Sequence, residues 1–460
     1  MNTAQNFGWQ HIARLGLVQA CLGAIVVLTT STLNRIMVVE LALPALLPGV
    51  LVALHYAVQV TRPRMGHGSD VGGRRTPWII GGMATLGLGG ITAAAGTIWM
   101  ATQLYAGLAV ATLGFLMVGL GVSACGTSLL VLLAKRVPEQ RRPGAATMVW
   151  MMMIAGFAIT AGLAGHWLDP YSPAQLMRVT GTVSLLALGL TVLALRGLEG
   201  QAPAPSPVAP AASQALGFWQ ALHQVWAEPV ARRFTIFVFI SMLAYSAQDL
   251  ILEPFAGTVY GYTPGASTQL SGLQHGGVLL GMVLVALAGG LAARYPQHPV
   301  LSRLGSLRAW TIGGCLASAL ALAGLVAGGV LGSAWPLQPT VFALGVANGA
   351  FSIGAIGSMM RLASEGRHAR EGIRMGLWGA AQAVAFGLGG LVGTGASDLA
   401  HWLVASPGLA YAWVFALEAG LFIFSALLAL KIGRAAAPSG PAADLDFPSP
   451  HLKRVQHAPY

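Results

Sequence analysis

The chain has 460 residues, of which 55% are hydrophobic and only 8% charged, whereas soluble domains carry about a quarter charged residues. This composition excludes a soluble globular enzyme: apolar runs of roughly 20 residues, each able to cross a ~30 Å hydrocarbon layer as a helix, recur almost end to end. The formal charge of +11 is scattered through short loops between those runs, which excludes a nucleic-acid surface and makes membrane lipid the only anionic partner implied.

Hydropathy predicts an all-α membrane protein of twelve spans: 15–40, 44–61, 77–98, 104–133, 145–167, 176–195, 234–256, 268–292, 306–330, 338–360, 375–398 and 409–431. The first run follows Arg14 and is too long for a secretory signal, so it is expected to stay as a helix. Cys21, Cys125 and Cys315 fall inside apolar runs without paired spacing and read as packing residues. The loops around 99–103, 257–267, 331–337 and 399–408 contain no Lys or Arg, while the alternate loops are rich in them. The positive-inside rule then puts both termini in the cytoplasm.

In chain order, the outer end of span one reads TLNRIMVVELALP, with Asn34, Arg35 and Glu40, and span two carries His55. Between spans two and three stands GHGSDVGGRR, with Gly66, Asp70, Gly73, Arg74 and Arg75. The glycines permit a tight reversal, and Asp70 can cap a helix start and pair with an arginine. This loop resembles the signature loop of the major facilitator superfamily. That resemblance implies two pseudo-symmetric six-helix halves, with the loop gating one side as they rock. Span four contains no arginine and span five lacks a Gly-Pro pair, which departs from proton-coupled exporters of that superfamily. Gly156, Gly162 and Gly165 of span five read as helix-contact residues.

The stretch 197–217 alternates Pro and Ala, as an extended linker would. After it, Phe218, Leu222, Val225 and Trp226 share a helical face, either as an interfacial helix or as an early start of span seven. The expected organisation is an N-terminal half at 1–196, a linker region at 197–233, a C-terminal half at 234–432 and a disordered cytoplasmic tail at 433–460.

Span seven contains SAQDLILEP, which sets Gln248, Asp249 and Glu253 in an apolar run with Pro254 directly behind. Asp249 and Glu253 share a helix face, and Pro254 cannot donate to the carbonyl of Leu250. Arg35 is expected to meet Asp249 or Glu253 across the outer mouth and join the halves there. Span eight carries Gln274 and His275, and His55 and His275 occupy comparable places in the two halves. The second-half loop 289–299 keeps Gly290 and Arg294 but has no aspartate, so any latch there is degenerate.

Four strings, LNRIMVVEL, SAQDLILEPFAG, LSGLQHGGVLLGM and RMGLWGAAQAVAFGLGG, resemble the PucC/LhaA-type bacteriochlorophyll-delivery family of phototrophic bacteria, over most of residues 10–432. The resemblance implies a twelve-helix protein of the bacterial inner, intracytoplasmic photosynthetic membrane that assists light-harvesting complex assembly by handling bacteriochlorophyll. Its implied partners are the pigment or its precursor, light-harvesting polypeptides and pigment-synthesis enzymes. In that account His55 and His275 are candidate magnesium ligands, with Gln59 or Gln274 as hydrogen-bond partner for the other ring N–H. Asn34, Arg35, Glu40, Gln248, Asp249 and Glu253 would contact polar pigment groups or gate the cavity. No nucleophile–base pair and no metal-spaced Cys/His cluster is visible, so neither catalysis nor a resident metal or catalytic cofactor is expected. Two alternatives remain, a proton-coupled secondary transporter of a small solute working through Asp249 or Glu253, and a scaffold that binds no pigment.

Overall fold

In the computed structural model the described residues are 7–59, 74–138, 141–199, 223, 226–295, 297–364 and 371–435. Gly66, Asp70, Gly73, residues 200–217 of the Pro/Ala-rich linker and nearly all of the tail lie outside them, as does most of 218–226. The described chain is helical throughout, in the order α1 (Trp9–Glu40), α2 (Leu46–Val58), α3 (Thr76–Met100), α4 (Leu104–Arg136), α5 (Arg142–Trp167), α6 (Pro173–Leu195), α7 (Pro229–Tyr260), α8 (Pro264–Arg294), short α9 (Pro299–Leu304), α10 (Leu307–Leu331), α11 (Leu337–Ser364), α12 (Glu371–Leu403) and α13 (Pro407–Ala435). Among the described residues eleven helices are long and apolar enough to cross a membrane. Predicted span two is α2, whose described part has 13 residues.

Local chemistry explains where the helices begin. Ser172 and Thr263 each precede a proline and accept a backbone N–H three residues on, from Gln175 at 3.0 Å and from Ala266 at 3.1 Å. Proline in the first turn lacks only a donor that would be orphaned there anyway. α7 ends at Gly261, whose φ of +68° is a left-handed stop that favours glycine.

One apolar core is built entirely from α7 to α13, with Phe237, Phe255, Phe351, Phe415 and Phe422 at its centre. Two others are built from α1 to α6, and Leu250 is the one α7 residue that joins them. Within the first half α3 and α4 mesh along glycines seven residues apart. Gly82, Gly89 and Gly96 face Gly121, Gly114 and Gly107, and a Cβ on any of the six would run into the opposite backbone. Close backbone approach of this kind is how helices gain packing where lipid removes the hydrophobic drive.

The arginines of the basic end also tie down helix termini. Arg14 donates Nε–H to the Ala194 carbonyl at 2.9 Å, and Arg136 donates to the Glu199 carbonyl at 2.7 Å. The Glu199 carboxylate accepts the backbone N–H groups of Arg75 and Thr76 and so caps α3 where it leaves the glycine-rich loop. The cap at α3 thus comes from an acid 124 residues beyond Arg75, while the capping expected of Asp70 falls outside the described residues.

Burial raises the Glu199 pKa, but hydrogen bonds from Thr76 and Arg75 and the Arg75 charge outweigh it, so the carboxyl sits below the ordinary glutamate range. A depressed pKa contributes stability above the unfolded value of about 4.3, and that stability is lost as pH falls through the folded value. Glu199→Gln is therefore expected to lower thermal stability at pH 7 by about 0.5 kcal/mol, the group being partly exposed. The deficit should vanish in melts below about pH 4.

Candidate functional site

The two halves meet through α1 with α7, α5 with α8, and α2 with α12. Gly165 and Gly265 touch backbone to backbone, and Gly272 packs against Gly162. Gly156 instead packs on Ala20 of α1, so the span-five glycines serve as contacts. The described side-chain hydrogen bonds that join the halves lie toward this same end, whose loops lack cations. Thr263 donates to Asp169 at 2.8 Å, and the Asp398 carboxylate of α12 accepts the N–H groups of Ala45 at 2.9 Å and Leu46 at 2.8 Å, where α2 begins. Thr32 and Thr268 bond at 3.1 Å.

The centre of this latched end follows from Pro254. The proline stands inside α7 and leaves the Leu250 carbonyl without its helical donor. Asn34 of α1, fully buried, fills that place with an Nδ2–H bond of 2.6 Å. Asn34 reaches it because α1 is rewound by two π turns, Leu28–Thr32 and Ile36–Glu40. Such turns shift the register of a helix face and mark functional segments. Beside it Ser31 donates to Glu253 Oε1 at 2.6 Å, Ser267 stands 3.5 Å from Oε2, and Ser271 bonds Ser31 at 3.2 Å. Glu253, 1% exposed, is thus held in a cage of hydroxyls.

Arg35 corrects the expectation of a cross-half ion pair with Asp249 or Glu253. Its guanidinium pairs with Glu40 on its own helix at 2.5 Å and crosses to the other half through the Tyr262 carbonyl at 2.6 Å. The second π turn explains this, since it brings residues five apart into register. The guanidinium lies flat against Gly257, where a Cβ would stand 2.9 Å from Nη2. Asp249 is half-buried beside Gln274 of α8, and the fully buried Gln248 lies on the Phe255 face of α7, toward α13 and away from the other half.

The two histidines are not equivalent. His275 Nδ1 lies 2.8 Å from the Ser271 carbonyl, which can only accept, so Nδ1 carries the proton and Nε2 keeps its lone pair. The Phe157 ring packs edge-on against the imidazole at 5.0 Å. One turn further along α8, Leu279 lines an apolar groove of ≈460 Å³ with Gly144, Thr147, Met148, Met151, Met152 and Ala155 of α5. His55, by contrast, has Nε2 in a 3.1 Å bond to Gln59 and is 1% exposed. Among the described residues no three His, Cys, Asp or Glu side chains gather as a metal site.

Sequence reading missed Asp398, Asp169, the serine cage and Glu418. The first two sit at the end whose loops lack Lys and Arg, and an acid there without a nearby cation in sequence was the available sign. The partners they find are helix starts in the other half, which no local pattern reveals.

The family model described as PUCC protein matches residues 32–437. The chain is 51% identical over 428 residues to the "Bacteriochlorophyll synthase 44.5 kDa chain" of Rhodobacter capsulatus, covering 92% of this chain and 96% of that one. It is 30% identical to "Protein PucC" of Cereibacter sphaeroides, with 93% of each chain covered. Among solved structures it resembles a mutant peptide transporter POT in complex with sulfate (TM-score 0.67, 13% identity, 92% of this chain and 94% of that chain). It also resembles the nucleoside transporter NupG (TM-score 0.63, 14% identity, 92% and 98%). At that identity the likeness shows the fold alone, the transporter fold expected of the major facilitator superfamily, and the matched residues show that the chain belongs to the PUCC protein family.

Proposed function

We propose that the protein is a non-catalytic factor of the photosynthetic inner membrane that holds bacteriochlorophyll during light-harvesting complex assembly. The observation that carries this reading is His275. Its Nδ1–H is anchored on a backbone carbonyl, which fixes the tautomer and raises the basicity of Nε2, the arrangement a metal-ligating imidazole uses. The Met-lined groove next to it falls within the usual volume of small-molecule sites and offers flexible thioethers to an irregular apolar surface. The magnesium belongs to the cargo, and the chain supplies the axial nitrogen and the apolar wall. The arginine-rich end faces the cytoplasm in this reading. The names of the relatives support the pigment connection.

One relative's name also favours a second reading, a subunit of the enzyme that makes the pigment. Deleting the gene in a phototroph separates the two. Assembly factor predicts that antenna complexes fall several-fold while free bacteriochlorophyll is still made; arrest of pigment synthesis itself would establish the synthase reading instead.

A further inference from the structure

A second polar site lies inside the α7–α13 half, away from the interface between halves. Glu418 of α13 is 2% exposed and both its carboxylate oxygens lack a hydrogen-bond partner. Ring contacts place it. One turn to one side Phe415 packs on Phe255 of α7 at 5.0 Å, and one turn to the other Phe422 packs on Phe351 of α11 at 5.9 Å. Gln248 shares the Phe255 face of α7, two turns back, and is fully buried with Oε1 and Nε2 both unpartnered. Asn348, one turn before Phe351, is fully buried too. Its Oδ1 takes a 2.8 Å bond from Ser318 of α10 while its Nδ2 has none. Asp249, next to Gln248, has a buried, unpartnered Oδ1.

Six buried polar atoms without partners in one layer would cost about 1–3 kcal/mol each if nothing met them. They do not satisfy one another, so they stand too far apart for direct hydrogen bonds. Oxygens that surround a hard cation at roughly 2.3–2.6 Å have that wider spacing. Charge points the same way, because buried carboxylates are normally paired or bind cations. The basic residues of the five packed helices all sit in their basic-end turns: Arg232 and Arg233, Arg308, Arg361, Arg374, and Lys431 and Arg434. The other titratable groups facing this core are Tyr245 and Tyr260 of α7, Tyr262 just beyond it, Cys315 of α10, His401 of α12 and Tyr411 of α13. Two carboxylates and neutral amides suit a single positive charge.

We propose that Glu418, Asp249 and Gln248 bind one hard monovalent cation, a sodium ion or a proton carried on water, in the core of the α7–α13 half. The oxygens hold the charge and the Asn348 and Gln248 amide donors hold its water. Asp249 is the half-buried entrance. It adjoins Leu250, the residue that accepts Asn34, so loading the site acts on the same turn of α7 that closes the latched end.

The test uses the purified full-length protein in mild detergent. Radioactive sodium binding is measured at pH 8 against choline, and proton uptake is measured by a pH step in weakly buffered solution. One sodium per chain is expected if sodium is the ligand, and one proton per chain, unaffected by sodium, if the proton is. Glu418→Gln should weaken that binding at least tenfold. Gln248→Leu, which removes an oxygen ligand and keeps the bulk, should do likewise and stands in if the glutamine variant does not fold. A wild-type chain that takes up neither ion, or variants that bind as it does, would overturn the site.

Discussion

Valine at Gly265 is expected to open the latched end. Its side chain would enter the space held by the Gly165 carbonyl and the Asp169 carboxylate, pushing α8 from α5 and breaking the Thr263–Asp169 bond beside it. Overpacking of this kind costs about 1–3 kcal/mol, which moves a two-state gate about 5- to 150-fold. Each half keeps its own apolar core, so the protein should still fold. The measurement is maleimide labelling of a cysteine placed at Thr268, which is 1% exposed. Labelling should be slow with Gly265 present and faster by about 5- to 150-fold with valine. Equal rates would show that the Gly165–Gly265 contact does not hold the halves together.

Phenylalanine at His275 is expected to remove most of the bacteriochlorophyll that co-purifies with the protein, while the same change at His55 leaves most of it in place. Both substitutions keep an aromatic ring of similar bulk, so the contrast isolates the ring nitrogen. At His275 the Ser271 carbonyl holds Nδ1–H and leaves Nε2 for the metal. At His55 Nε2 is already engaged by Gln59 in a buried setting. Loss of the axial ligand should lower retained pigment about tenfold or more. Equal losses at both positions would place a ligand in each half, and no loss at either would return both rings to helix contacts.

Much of the fold was legible because the bilayer imposes it. Spans of about 20 apolar residues, their alternation of basic loops and the Ser/Thr-Pro helix starts are local patterns, and α3 to α8 and α10 to α13 lie close to the predicted ranges. The seven-residue glycine spacing of α3 and α4 was equally visible in sequence. The site was legible in its membership but not its pairings. Asn34, Glu253 and Pro254 stood out as polar or helix-breaking residues in apolar runs, and the free Leu250 carbonyl followed from Pro254. That Asn34 answers it, and that Arg35 turns back to Glu40, depends on two π turns. A π turn inserts a residue into a helix whose apolar pattern is continuous on all sides, so periodicity carries no trace of it. Glu418 was passed over because a single acid in a terminal span has no sequence partner, and its neighbours come from three other helices.

The most direct test of pigment handling is the near-infrared absorption of the wild-type protein purified in mild detergent from a bacteriochlorophyll-making host. A bound-pigment band that elutes with the protein at a fixed ratio to the chain and weakens in His275→Phe is expected. Folded protein that restores antenna assembly in the deletion strain yet carries no pigment would contradict it.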